Sequence, residues 1–457
     1  MRSNYFSTIA AISTPPGKGG VAVIRLSGPE AFAIGARVFR PFGKRSPAEA
    51  PRMAIYGEML ADGRVVDDGL ATAFPAPASY TGEDTLELSC HGGVLITETI
   101  LAALFTAGAT PAAPGEFTRR AFLSGRLGLT EAEAIADLLD AKSEAQVQLA
   151  VGRGRLAERI ADLRATLLTL VSSAEAVIDF PEEDLAELSE AELTERLTRL
   201  LTAIRALCDT YRTGRAVSEG VRTVIVGRPN VGKSSLYNLL VGEDAAIVTE
   251  HAGTTRDVLE RTQPLGRVLL RLFDTAGLRD TDDPVEQIGV ARATAALEAA
   301  ELILAVFDGS TPLTEDDHAL LARLRAQNAV RIALINKCDL PTVADVKALG
   351  EGFAATLQIS AQTGTADALS TEIERLFTDG ALVLGEDAIL SSARQYATLC
   401  RTRDALQRAD EALRAGAPAD MYLYDLTEAL ATLGEVDGRT VNDEVVAEIF
   451  GRFCVGK

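Results

Sequence analysis

Gly227-Arg228-Pro229-Asn230-Val231-Gly232-Lys233-Ser234 has the spacing GxxxxGKS and follows directly on a β-prone run, Val221 to Val226. Glycines let such a loop curl so that its N–H groups, here from Asn230 through Val231 and Gly232 to Ser235, point at phosphate oxygens. Lys233 adds a point charge, and the Ser234 hydroxyl suits Mg²⁺. Asp274-Thr275-Ala276-Gly277 ends the run Val268 to Phe273. There a carboxylate can hold the metal through water, and Gly277 can offer its N–H to a terminal phosphate. Asn336-Lys337-Cys338-Asp339 ends the run Arg331 to Ile335. Asp339 can accept from guanine N1–H and the 2-amino group, both of which adenine lacks, and an unpaired buried carboxylate is heavily penalised. Ser360-Ala361, after the run Ala355 to Ile359, fits a backbone contact to the guanine oxygen. Four such elements in this order, each at a strand end, predict a guanine-nucleotide site at the carboxyl edge of a parallel sheet.

The elements that must position these residues are legible in the patterning. The runs VRTVIV, VLLRLF, LILAVF, RIALIN and ATLQIS alternate with helical segments between Val221 and about Phe377, which predicts a parallel sheet covered on both faces. From about Ala121 to Tyr211, and again from about Ala388 to Phe450, Ala, Leu, Glu and Arg recur at helical spacing, with a break expected at Phe180-Pro181. Residues 1 to about 118 carry short β-prone runs such as Val21 to Ile24 and Leu86 to Leu88 between Gly/Pro turn clusters, the pattern of a small α+β domain. The economical reading is a helical domain from two chain halves with an α/β domain inserted between them.

Composition narrows the function classes. With 457 residues, 47% hydrophobic and 24% charged, the chain has a globular make-up and length for about three domains. No run approaches the roughly 18 apolar residues of a membrane span, and the N-terminus is too polar for a signal peptide, so a cytoplasmic protein is expected. Five scattered cysteines without a CxxC pair and three histidines without HExxH spacing argue against a disulfide frame or catalytic zinc. The net charge of −20 has the wrong sign for wrapping a polyanion, so neither DNA nor a membrane is expected as a partner. Residues 1–120 hold 11 basic and 11 acidic residues, which places the whole acidic excess further on. His91-Gly92-Gly93 resembles the oxyanion loop of esterases, but no GxSxG occurs, and hydrolase chemistry of that kind is rejected. Cys454-Val455-Gly456-Lys457 has the register of a prenylation box with the wrong third and last residues.

The nucleotide elements resemble those of the translation-factor-related GTPases, and further segments narrow the resemblance. These are Thr249-Glu250-His251-Ala252-Gly253-Thr254-Thr255-Arg256-Asp257, TPPGKGGVAVIRLSG, SYTGEDTLELSCHGG, PGEFTRRAF and the terminal Cys454-Val455-Gly456-Lys457. Over essentially the whole chain they look like the MnmE (TrmE) family of tRNA-modification GTPases. In Ras-like enzymes a glutamine after DxxG orients the attacking water, and an arginine finger is worth about 10³ to 10⁵ in rate. Here that position is Leu278, which can do neither, and the loop RDTDDPVEQ offers carboxylates instead. The resemblance points to Glu286 as the group that positions the water. It implies K⁺ in place of the finger as two G domains dimerise, held by the Asn230 side chain and backbone oxygens of Thr249, His251 and Thr254. It also implies that Thr255 joins Ser234 on Mg²⁺, with Glu250, Ala252 and Gly253 lining GTP.

For the chain ends the resemblance implies a constitutive homodimer that binds a tetrahydrofolate derivative, the 5-formyl or 5,10-methylene form. Arg25, Glu83, Arg126 and Lys457 match the family's binding residues; Arg126 stands where Lys is common and keeps the positive charge. The tail is implied to reach the folate, with Cys454 a candidate participant. The expected architecture is multidomain α/β: an N-terminal α+β folate-binding and dimerisation domain (1–120), an all-α helical domain from two chain halves (121–218 and 381–457), and an inserted Ras-like P-loop G domain (219–380). The implied activity is K⁺-dependent GTP hydrolysis. Together with the flavoprotein MnmG (GidA), in a heterotetramer or larger assembly, it adds an aminomethyl or carboxymethylaminomethyl group at carbon 5 of the wobble uridine of certain tRNAs. Two rivals are an Era-type RNA-binding switch and a dynamin-like scaffold; each needs a basic surface module that is not visible here.

Overall fold

The computed structural model describes residues 7–179, 189–242, 260–273, 295–345, 352–440 and 443–457. The chain divides into two compact units, one of Met1–Leu139, Ala157–Thr198 and Asp404–Lys457, the other of Asp140–Leu156 and Arg199–Arg403.

The first unit contains a seven-stranded sheet of order β3-β4-β5-β6-β2-β1-β7. Its strands are β1 (Ile9–Ile12), β2 (Gly19–Ser27), β3 (Phe39–Pro41), β4 (Ile55–Ala61), β5 (Arg64–Phe74), β6 (Thr85–Gly92) and β7 (Thr110–Pro111). Neighbours run antiparallel except β1 and β7, which are parallel. Side chains alternate across a pleated strand, so Ala22, Ile24 and Leu26 of β2 and Leu86, Leu88 and Cys90 of β6 share one face. They pack against Ile34 and Val38 of helix α1 (Ala31–Val38) and Ile100 and Leu104 of α2 (Val94–Thr106). The intervening Arg25, Glu87 and Ser89 belong to the opposite face. After the sheet come α3 (Glu116–Leu123) and α4 (Leu129–Asp140). Phe122, Leu129 and Ala132 share a core with Val446, Ile449, Phe450 and Phe453 near the chain end. Gly115, at φ +64°, makes this approach possible: a Cβ there would lie 2.4 Å from Phe450 O.

The long helices α6 (Arg153–Asp179) and α7 (Glu190–Asp209) follow α5 (Glu144–Val151), and α8 is Tyr211–Ser218. The helix break expected at Phe180-Pro181 lies outside the described residues. In the second unit Val217 of α8 packs with Leu149, Leu384 and Ile389. A Cβ on Gly214 would sit 1.9 Å from Leu390 O, a backbone atom that cannot swing aside. Gly214→Ala is therefore expected to destabilise the protein by about 2 kcal/mol or more. A chemical-denaturation midpoint equal to that of the parent would show that the helix simply shifts.

The second unit's sheet has six strands in the order β13-β12-β11-β8-β10-β9. They are β8 (Val221–Val226), β9 (Glu260–Leu265), β10 (Val268–Phe273), β11 (Leu302–Asp308), β12 (Val330–Asn336) and β13 (Ala355–Gln358). The five strands expected from the sequence are parallel, but β9 adds an antiparallel edge to β10. Its sequence, ERTQPL, lacks an apolar run, and Pro264 is tolerable only on an edge. All seven residues of β11 are buried, as a central strand covered on both faces requires. Leu304 and Val306 pack on the side of Leu236, Leu240 and Ile373, whereas Ile303, Ala305 and Phe307 pack with Leu297 and Leu324. Among the described residues, the helices between these strands and after them include α9 (Lys233–Val241), α10 (Glu315–Arg325) and α11 (Asp367–Phe377); later in the chain come α12 (Ala393–Arg414) and, in the first unit, α13 (Ala419–Asp437) and α14 (Asp443–Gly451).

Candidate functional site

Strand β8 delivers the chain into the loop 227–232, and α9 begins at Lys233. A Cβ on Gly227 would lie 2.5 Å from Val306 O, and one on Gly232, at φ +100°, 2.1 Å from Asn336 Nδ2, so glycine is required at both positions. Asn230 also takes a left-handed conformation, at φ +64°. The loop closes around the Lys233 ammonium, which donates to Gly227 O (2.8 Å) and Arg228 O (2.9 Å). Ser234 and Ser235 fall in the first turn of α9, where backbone N–H groups and the helix dipole favour an anion.

One side chain joins this loop to the motifs expected to read the base. Asn336, 3% exposed, donates from Nδ2 to Val231 O (2.7 Å) and accepts at Oδ1 from the Ala361 N–H (2.8 Å). Asp339 accepts at Oδ1 from the Ser360 hydroxyl (2.6 Å), and Ser360 in turn lies 2.8 Å from the Thr363 hydroxyl. Lys337, at φ +65°, pairs its ammonium with Asp308 Oδ2 (2.7 Å) at the carboxyl end of β11. Burial alone pushes the Asp308 carboxyl up, but hydrogen bonds from Lys337, the Ser310 hydroxyl and the Ser310 N–H hold it below its ordinary value. Asn230, Val231, Gly232, Lys233, Ser234 and Ser235 thus share one sheet edge with Asn336, Lys337, Asp339, Ser360 and Ala361. Thr249, Glu250, His251, Ala252, Gly253, Thr254, Thr255, Asp274, Thr275, Ala276, Gly277, Leu278 and Glu286 lie outside the described residues. Sequence reasoning missed Asp308; its signal was a carboxylate ending the most apolar strand.

In the first unit the structure gathers the expected folate residues around segments 80–83 and 115–126. The Arg25 guanidinium bonds Glu87 Oε1 through Nε (2.9 Å) and lies 5.3 Å from the Tyr80 ring centroid and 5.6 Å from that of Phe117. Glu83 accepts from the Ser27 hydroxyl (2.8 Å) and from Arg120 Nη1 (3.1 Å). Arg120, 4% exposed, also donates to Glu116 Oε1 (2.9 Å) and Ser7 O (2.9 Å). Arg126 packs near Gly82, where an added Cβ would meet Arg126 Cγ at 3.2 Å. The chain end arrives at the same place: Phe117 N–H donates to Lys457 O (3.2 Å) and Gly115 N–H to Cys454 O (3.3 Å). Cys454 is exposed. Tyr80, Phe117 and Arg120 were not singled out from the sequence; two aromatics and an arginine inside matching segments were the available signal.

His91, the penultimate residue of β6, bonds Asp67 twice, through Nδ1 (2.8 Å to Oδ1) and its backbone N–H (2.8 Å to Oδ2). Asp68 Oδ2 accepts from the Tyr56 hydroxyl (2.5 Å). The hydrogen bond and charge of Asp67 raise the imidazole above its ordinary value. The protonated form is therefore favoured by folding, and that stabilisation is complete at pH below the unfolded value and fades as pH rises past the elevated one. NMR titration of the full chain should place His91 above an ordinary histidine and Asp67→Asn should abolish the difference; an unshifted parent would mean that the pair does not persist in solution.

Residues 8–126 match the family described as the GTP-binding protein TrmE N-terminus, and residues 129–454 match the MnmE helical domain. The tRNA modification GTPase MnmE of Symbiobacterium thermophilum is 43% identical over 98% of this chain and 99% of its own length. That of Streptococcus pneumoniae strain Hungary19A-6 is 40% identical over the full length of both chains, and that of Listeria welshimeri 40% over 99% of this chain and all of its own. A solved structure of an Aquifex aeolicus Era variant bound to GDP·AlF4⁻ matches 40% of this chain and 65% of that one at 27% identity and a TM-score of 0.28, too low to carry a fold argument. No helix among the described residues is long and apolar enough to cross a membrane. Two family matches that together run nearly end to end, with full-length relatives at 40% identity and above, show that the chain belongs to the MnmE family of tRNA modification GTPases.

Proposed function

We propose that this chain is a K⁺- and Mg²⁺-dependent GTPase that works with an MnmG (GidA)-type flavoprotein. The pair would install an aminomethyl or carboxymethylaminomethyl group at carbon 5 of the tRNA wobble uridine, using a carbon from a methylene-tetrahydrofolate. The observation that carries the nucleotide reading is Asn336, whose amide ties the phosphate loop to the Ser360-Ala361 loop while Ser360 orients Asp339. Lys233 and the N–H groups of loop and helix would bind phosphates, and Asp339 would read guanine. The donor types fit the ions: Ser234 offers a hard oxygen at the start of α9, and Asn230 an amide oxygen within the loop. Mg²⁺ would neutralise phosphate charge and K⁺ would add charge in the transition state. The remaining assigned ligands, Thr249, His251, Thr254 and Thr255, and the water-positioning Glu286 belong to the same reading.

The folate part of the reading is supported by the donor set around Arg25. Aromatic faces at Tyr80 and Phe117 suit a planar pterin, Glu83 can accept from its N–H groups, and Arg126 and Lys457 suit the glutamate tail. Homodimerisation is supported by exposed apolar residues of the N-terminal sheet, Val21, Tyr56 and Leu70, with Phe42 packed on Tyr56 at 5.0 Å between centroids. The proposed domains are 1–120, 121–218 with 381–457, and an inserted G domain, 219–380. The proposed setting is the cytoplasm.

Nucleoside analysis of tRNA from a deletion strain tests the function as a whole: loss of a 5-substituted wobble uridine is expected, and an unaltered profile would favour a binding switch that performs no chemistry. Arg25→Ala should weaken 5-formyl-tetrahydrofolate binding by about a hundredfold or more, since it removes a charge and a stacked plate together. GTP turnover of the isolated protein should change less than about twofold, because the groups lie in separate domains. Titration calorimetry showing unchanged folate affinity would remove Arg25 from the site.

A further inference from the structure

Arg228 belongs to the phosphate loop, yet its side chain is anchored outside every nucleotide motif. Nη2 donates to the Thr311 hydroxyl (2.8 Å), and Nε lies 3.2 Å from Asp317 Oδ2. Its own carbonyl accepts from the Lys233 ammonium. Asp317 is 2% exposed and sits in the first turn of α10, where its Oδ2 accepts from the Thr314 N–H (2.9 Å) and hydroxyl (2.8 Å) in a capping box. Capping alone does not require this arrangement, because a capping-box acid works equally well at the surface. Asp317 Oδ1 is buried with no hydrogen-bond partner among the described residues, a cost that helix capping does not repay. A buried carboxylate so placed demands a counter-charge, and Arg228 supplies it. The loop that Arg228 opens contains Asn230 at φ +64° and Gly232 at φ +100°, so it has several backbone alternatives to lose before it can hold phosphates.

We propose that Asp317, with Thr311, is a positioning residue for GTP hydrolysis: through Arg228 it fixes the carbonyls that aim the Lys233 ammonium at the phosphates. Neither residue touches nucleotide. Their effect is preorganisation, so it belongs in kcat/KM for GTP rather than in fold stability alone. The inference rests on reading residues 227–234 as the phosphate loop.

The test is a double-mutant cycle on the full chain, with GTP turnover and thermal unfolding measured for every variant. Asp317→Asn keeps an acceptor for the Thr314 N–H and so spares the helix cap. Asp317→Asn and Arg228→Gln should each lower kcat/KM about tenfold, and the double variant about tenfold as well, the signature of residues that act as one unit. Thr311→Val leaves the cap untouched and should lower kcat/KM about threefold in the parent and not at all in Arg228→Gln; this second cycle decides the matter if Asp317→Asn does not fold. A double variant about a hundredfold down, or lowered melting temperatures with unchanged kcat/KM, would overturn the proposal. Lys233→Ala serves as the control: full activity in that variant would sink the phosphate-loop assignment itself, an outcome distinct from failure of the clamp.

Discussion

Exchanging K⁺ for Na⁺ should lower GTP turnover by about two orders of magnitude, the usual worth of a charge or donor placed where the transition state develops charge. The expectation follows from a deficit. Leu278 stands where Ras-like enzymes carry a water-orienting glutamine, and no residue of this chain is assigned as an arginine finger. Asn230, left-handed at φ +64°, lies in the loop whose carbonyls accept from Lys233, and in the proposed site its amide oxygen would stand beside bound phosphates. Asn230→Ala should erase the preference for K⁺ while leaving GTP affinity within about threefold, because Lys233 and the backbone N–H groups still bind. Glu286→Ala should lose turnover but retain K⁺-promoted dimerisation with a transition-state mimic, which separates water positioning from charge. Equal parent rates in the two salts would end the cation mechanism and leave Asn230 as an ordinary loop asparagine hydrogen-bonded to its own backbone.

Asp339→Asn should raise KM for GTP about a thousandfold and improve xanthosine triphosphate as a substrate relative to it. In the proposed site the carboxylate would accept two guanine protons; an amide would present a donor to one of them and leave it unpaired. Xanthine carries a 2-oxo group, which that donor satisfies. The structure adds a reason for the swap to be clean. Ser360 donates to Asp339 Oδ1, and the asparagine oxygen can keep that bond, which directs the amide nitrogen toward the base. Steady-state kinetics with both nucleotides is the measurement, and equal losses for the two would show that Asp339 does not read the base.

The sequence by itself determined the parts whose chemistry is local. A phosphate loop needs glycines, a lysine and a hydroxyl within eight positions between a strand and a helix, and Gly227 to Ser234 satisfy that without reference to the rest of the chain. The five parallel strands were legible because buried β runs are continuous and apolar. Strand β9 was not, because an edge strand needs no apolar run and admits Pro264. Only the tertiary structure decided which distant groups meet. Asn336 reaches Val231 across 105 positions, Arg120 meets Glu83 across 37, and the Lys457 carbonyl closes on the Phe117 N–H. Asp317 was not singled out from the sequence, and only its burial beside Arg228 sets it apart from other carboxylates in first helical turns. Hydrogen-bond partners of this kind leave no periodicity, because a single donor and acceptor meet once. Their pairing is set by sheet order and crossover, which the pattern of any one segment does not encode.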